Sequence, residues 1–116
     1  MRALMFGALV LLTGCASYQD IVSKAPAQTV QSSQAVKRAA VCIARNANDN
    51  TVLTLKSKVT EFDAHDVEVE VMGEDSRYAV VKLKSTENGS KADFYLAGMA
   101  KIAPTMAVQN LVKGCT

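Results

Sequence analysis

The chain holds one histidine, His65, in the stretch Asp63-Ala64-His65-Asp66. An imidazole between two carboxylates could act as a general base or as a metal ligand. A Ser–His–Asp site would also need a serine close in space, and no nucleophile elbow of the GxSxG type is present. The plainer reading is an exposed histidine in a polar turn. Glu61, Asp63, Asp66, Glu68 and Glu70 form an acidic cluster in which Glu68 and Glu70 would share one strand face. Such a pair could hold calcium weakly, but no EF-hand spacing appears, and a solvated face beside Lys82 and Lys84 is the simpler account. Asn88-Gly89-Ser90 has the form of a glycosylation acceptor and reads better as a turn. No catalytic residue, metal site or cofactor is expected from these patterns. What remains is a set of three cysteines, at 15, 42 and 115, with no CxxC among them.

The first cysteine closes a leader-like segment. Met1-Arg2 supplies one positive charge, and residues 3–12 form an apolar run. A helix needs about 20 apolar residues to cross a bilayer, so this run has instead the size of a signal-peptide core. Leu12-Thr13-Gly14-Cys15 follows directly and resembles the lipobox of bacterial lipoproteins. The resemblance covers the first fifteen residues. It implies a diacylglyceryl thioether on Cys15, cleavage between Gly14 and Cys15, and an acylated amine on Cys15. Ala16 follows where an Asp favours retention in the inner membrane of enteric bacteria, so the resemblance implies the periplasmic face of the outer membrane. Several acyl chains, at about 0.8 kcal/mol per buried methylene, would make a durable anchor. The competing reading is an ordinary cleaved signal with an accidental cysteine.

Removal of residues 1–14 leaves one small domain, which buries a modest fraction of its surface and gains from a covalent staple. With Cys15 assigned to lipid, Cys42 and Cys115 are an even pair in an oxidising compartment, and a disulfide is expected between them. Metal or redox thiols are the rival, and the wide spacing and single distant histidine argue against it. The formal charge of +2 includes Arg2, so the mature side chains sum to about +1. Neither that charge nor export suits nucleic acid. With no Trp, three Tyr and three Phe, no aromatic binding platform is legible.

Residues 15–32 include Ser17, Ser23, Pro26, Gln28, Gln31 and Ser32 and few large apolar groups, so they read as a flexible tether in which a helix over 18–22 would be marginal. The domain proper is expected over 33–116. A first helix is predicted over 33–46, capped by Ser32 or Ser33. Val36, Ala39, Ala40, Ile43 and Ala47 would form its buried stripe, with Lys37, Arg38 and Arg45 toward water and Cys42 at the stripe's edge. The polar run from Asn46 to Asn50 would end it. Alternating strands are predicted over 51–59, 66–72, 77–84 and 92–97. Gly73 to Ser76 reads as a turn, and Asn88-Gly89 as the centre of a primed hairpin turn. Pro104 opens a helix over 104–112 that Gly114 stops.

The predicted order is α-β-β-β-β-α: an α+β two-layer domain with a four-stranded, mainly antiparallel sheet and two helices stapled together on one face. The other face would carry Lys56, Lys58, Glu68, Glu70, Lys82 and Lys84, either as a solvated surface or as a polar docking surface. The function expected is that of a membrane-anchored periplasmic lipoprotein, a non-enzymatic binding or assembly accessory of the bacterial envelope. Its partners would be the bilayer, through acylated Cys15, and an envelope protein. Secretion pilotins and assembly accessory subunits are similar in plan, by size, anchor and disulfide only. The alternative is an inhibitor or defence protein against a cell-wall hydrolase or a phage factor, inserting the loop at 73–76 or at 87–90.

Overall fold

The computed structural model describes residues 17–116. The leader and Cys15 lie outside the described residues. The elements run α1 (Tyr18–Val22), β1 (Gln28–Ser32), α2 (Val36–Asn48), β2 (Lys56–Asp63), β3 (Asp66–Met72), β4 (Arg77–Thr86), β5 (Gly89–Leu96), a 3-10 turn (Gly98–Lys101) and α3 (Pro104–Val112). Among the described residues no helix is long and apolar enough to cross a membrane.

The class is α+β, with a five-stranded antiparallel sheet in the order β1-β5-β4-β3-β2. Four strands and two helices were expected. The additional strand and helix both come from 15–32, the stretch whose composition suggests a flexible tether. β1 joins the sheet by pairing Gln28 through Ser32 with Phe94 through Ser90. Backbone groups make that ladder, so the strand needs only one apolar contact, supplied by half-buried Val30. α1 is fixed by a capping box: Ser17 Oγ accepts from the Asp20 amide, and the Asp20 carboxylate accepts from the Ser17 amide. Ile21, 7% exposed, then buries this short helix against the sheet.

β2 to β5 form a hairpin-connected meander, and α2 carries the chain from the β1 edge to the β2 edge across one face. The stripe on α2 is Val36, Ala39, Ala40, Ile43, Ala44 and Ala47, all buried. Its alanines let the helix approach the sheet closely. Val67, Val69, Val71, Ala79, Val81, Leu83, Ala92 and Phe94 meet it from the sheet, and Val108 and Leu111 from α3. Strand parity is as predicted, but several boundaries move. The segment 51–55 is not strand: Asn50 Oδ1 accepts from the Leu53 amide within a turn, β2 begins at Lys56, and Asn48 Oδ1 accepts from the amide of its second residue, Ser57. The α2 N-cap is Ala35, without a side-chain cap. Ser32 and Ser33 are drawn elsewhere, their hydroxyls donating to the carbonyls of Cys115 (2.6 Å) and Thr116 (2.9 Å).

The chain's end is thus sewn onto the β1–α2 loop. Cys42 and Cys115 are joined by a disulfide, with S–S 2.07 Å and Cα atoms 5.6 Å apart. One helical turn further on, Asn46 Nδ2 donates to the carbonyls of Leu111 (2.8 Å) and Lys113 (2.9 Å) and satisfies the open C-terminal end of α3. The β4–β5 hairpin also differs from expectation. Its two-residue loop is Glu87-Asn88, with Thr86 opposite Gly89 and no positive φ at Asn88. Gly89 is required there for close approach, because a Cβ on it would lie 2.1 Å from the Ser32 carbonyl oxygen.

Candidate functional site

The structure places His65 on the β2–β3 turn, exposed. Its Nδ1 is 3.3 Å from Ser85 Oγ, so a serine does lie beside the ring. Asp63, however, accepts from the His65 backbone amide at 2.7 Å and does not orient the imidazole. A hydrolytic triad needs the carboxylate on the far ring nitrogen and a sheltered nucleophile, and this open turn supplies neither. The acidic cluster is split by the sheet. Glu61 points to the helical side, where it meets Lys37 on α2 at 3.4 Å. Glu68 and Glu70 point to the other side. Among the described residues no group of three or more His, Cys, Asp or Glu side chains could hold a metal ion. The Gly73 to Ser76 turn closes on itself, Gly73 N donating to Ser76 O at 2.7 Å.

The sheet face away from α2 and α3 carries the charge pattern expected. In register across it, Lys58 lies opposite Glu70, Glu68 sits between Thr60 and Lys82, and Asp66 lies opposite Lys84. The helix that composition leaves marginal over 18–22 is formed, as α1, and lies on this face. Tyr18, Ile21 and Val22 cover Val80, Tyr95 and Ala97 in a small second cluster, which leaves Val80 fully buried on a nominally polar face. Tyr18 Oη donates to Glu68 Oε1 at 2.5 Å. Partial burial, and then this hydrogen bond, push the Tyr18 phenol up to about 12. Lys82 Nζ sits 5.9 Å from the Tyr18 ring centroid and 5.7 Å from that of Tyr95, bridging two aromatic faces. Glu70 accepts from Arg77 at 3.3 Å, and Asp93 from Thr29 at 2.6 Å. Glu68, Glu70 and Asp93 are therefore engaged, whereas Asp66 lies opposite Lys84 without a side-chain hydrogen bond among the described residues, and Lys56, Lys58 and Lys84 stand exposed.

A second surface lies on the opposite layer. The outward side of α2 carries Lys37, Arg38 and Arg45 around Val41, which is 49% exposed. With Gln34, Cys42 and Gly114 these residues line an open groove of about 590 Å³. The disulfide and the Asn46 bonds hold both walls of it, α2 and the chain after α3, in fixed relation. Lys37 is partly neutralised by Glu61, but both groups are solvated and such a pair contributes little. Arg38 and Arg45 lie about two turns apart on the same helix, on either side of Val41, and both are exposed.

The chain matches no protein-family model, no curated protein and no solved structure. The disulfide pair was legible in the sequence, whereas the cluster around Tyr18 was not. Its traces were Val80 and Tyr95 at positions that alternation assigns to the charged face, together with Ser17 three residues before Asp20 as a helix start signal.

Proposed function

We propose that this protein is a membrane-anchored periplasmic lipoprotein, lipidated on Cys15 and held at the periplasmic face of the outer membrane, that works as a non-enzymatic binding or assembly accessory of the bacterial envelope. The anchor reading is supported by the apolar run that ends on Leu12-Thr13-Gly14-Cys15. The binding reading is carried by the outward face of α2, an exposed apolar side chain ringed by cations on a stapled, rigid layer. A surface of that kind suits a protein partner presenting an acidic rim around an apolar contact. Chain entry supports the same division of labour: α1 begins directly after the anchor region on the sheet's other face, which leaves α2 free to meet a partner.

The test is photo-crosslinking from Val41 in living cells, with the full lipidated chain. The expected result is one dominant envelope protein captured from Val41, and its loss in an Arg38→Glu, Arg45→Glu variant that still reaches the membrane and retains its disulfide. A variant that restores every knockout phenotype without capture at Val41 would remove this surface from the function.

A further inference from the structure

We infer that the open sheet face beside α1 is a membrane-contact surface, which lies against anionic phospholipid headgroups and inserts Phe62 at the interface. The inference rests on the reading of Cys15 as the lipidated residue and adds the orientation of the domain. It begins with chain length. Cys15 is two residues before Ser17, so their Cα atoms are at most about 7 Å apart. Ser17 is the N-cap of α1, and α1 is packed on the open face through Tyr18 and Ile21. The anchor therefore leaves the domain at this face. The outer side of α2 is separated from it by the sheet and a further helix diameter of about 10 Å.

The side chains around the exit have the chemistry of an interface. Phe62 is 61% exposed, at the register shift near the end of β2. It borders a shallow hollow of about 310 Å³ with Tyr18, Asp66, Glu68, Lys82 and Lys84. Exposed Phe side chains on interfacial surfaces bury at the boundary between headgroups and acyl chains. Lys58 and Lys84 are exposed on the same face, and long lysine stems can lie along apolar surface while the ammonium reaches phosphate. Glu70 is paired with Arg77 inside the fold and Glu68 is buried beneath the Tyr18 hydroxyl, which leaves Asp66, opposite Lys84, as the open acid beside the hollow. Near an anionic bilayer each free lysine strengthens contact roughly fivefold. A domain joined to its anchor by so short a link would otherwise hold an exposed phenylalanine and a row of lysines beside the bilayer without contact.

The chain contains no tryptophan, so one introduced residue reports alone. Full-length protein processed in cells, carrying Phe62→Trp, would be reconstituted into phosphatidylethanolamine–phosphatidylglycerol vesicles with brominated acyl chains. Val41→Trp on α2 serves as the far-side probe, and Thr86→Trp at the β4–β5 hairpin as a second near-side one. We expect blue-shifted, bromine-quenched emission from Phe62→Trp and partial quenching from Thr86→Trp. Emission from Val41→Trp should stay unquenched, and Lys58→Glu with Lys84→Glu should abolish the near-side quenching. Equal emission from positions 62 and 41, or quenching that persists in the charge-reversed protein and in purely zwitterionic vesicles, would overturn the inference. Mass spectrometry of the same preparation separates the two levels: a mature chain without acyl groups on Cys15 overturns the anchor reading itself, whereas an acylated chain with water-exposed Trp at 62 overturns only the orientation.

Discussion

Tyr18 joins the first helix to the sheet through one short hydrogen bond to Glu68, so ionising its phenol must loosen α1. The phenol's ordinary value of 10.0 is raised to about 12 by partial burial and by Glu68. A raised value means that the folded state holds the proton more tightly than the unfolded chain. The stability this pair contributes is therefore fully present below pH 10.0 and is lost as the pH rises through about 12. Between those values the urea midpoint of the native protein should fall more steeply than that of Tyr18→Phe. In an absorbance titration of the phenolate band, Tyr18→Phe should lose the highest step and keep the raised step of Tyr78, which is shifted by burial. Parallel pH profiles for the two proteins would show that Tyr18 and Glu68 are not coupled.

At the scale of elements, α3 and the chain's end are secured three times over: by the disulfide, by Asn46 on the α3 carbonyls, and by Ser32 and Ser33 on the last carbonyls. These devices act on different states. The hydrogen bonds stabilise the docked helix, whereas the disulfide chiefly restrains the unfolded chain. It links residues 73 apart in sequence, and closing a loop of that size contributes about 4 kcal/mol in the chain-entropy account. Replacing both cysteines, Cys42→Ala with Cys115→Ala, should lower the unfolding free energy by about that amount in urea titration while the circular dichroism of the folded state is retained. Reductant should reproduce the shift in the native protein and leave the double variant unmoved. An unchanged midpoint in both experiments would contradict the account.

Seen whole, the molecule has one shared core and one satellite. Phe94 is fully buried among the sheet, α2 and α3, whereas Ile21 shares its small cluster with buried Val80 and Ala97 and half-buried Tyr18, Val22 and Tyr95. Cavity costs should follow that division. Phe94→Ala should cost about 3–5 kcal/mol, and Ile21→Ala should fall near the ~2 kcal/mol low end for its class, because solvent can close over the vacated site. Comparison of unfolding midpoints checks this, and equal losses would mean that α1 is as integral to the fold as the central strands. The two sides of the sheet thus differ in what covers them: a stapled helical layer on one, and on the other a single short helix over a small cluster.

The sequence by itself determined what depends on period and on covalent chemistry. Alternation placed Val67, Val69, Val71, Val81 and Leu83 on the core face, the helical stripe on α2 was readable from Val36 to Ala47, and α3 begins at Pro104 and ends at Val112 as predicted. The Cys42–Cys115 pairing was likewise legible, because one partner for each thiol remained once Cys15 was set aside. Only the tertiary structure decided that residues 28–32 are a strand and that α1 lies on the charged face. An edge strand is held by backbone hydrogen bonds that almost any side chains permit, so the composition of 28–32 carries little trace of its pairing with 90–94. The Tyr18–Glu68 contact spans fifty positions, and the serine contacts with the chain's end span eighty-three. No local pattern encodes such meetings; they exist because the meander returns β5 to lie beside a strand that precedes it by a whole domain.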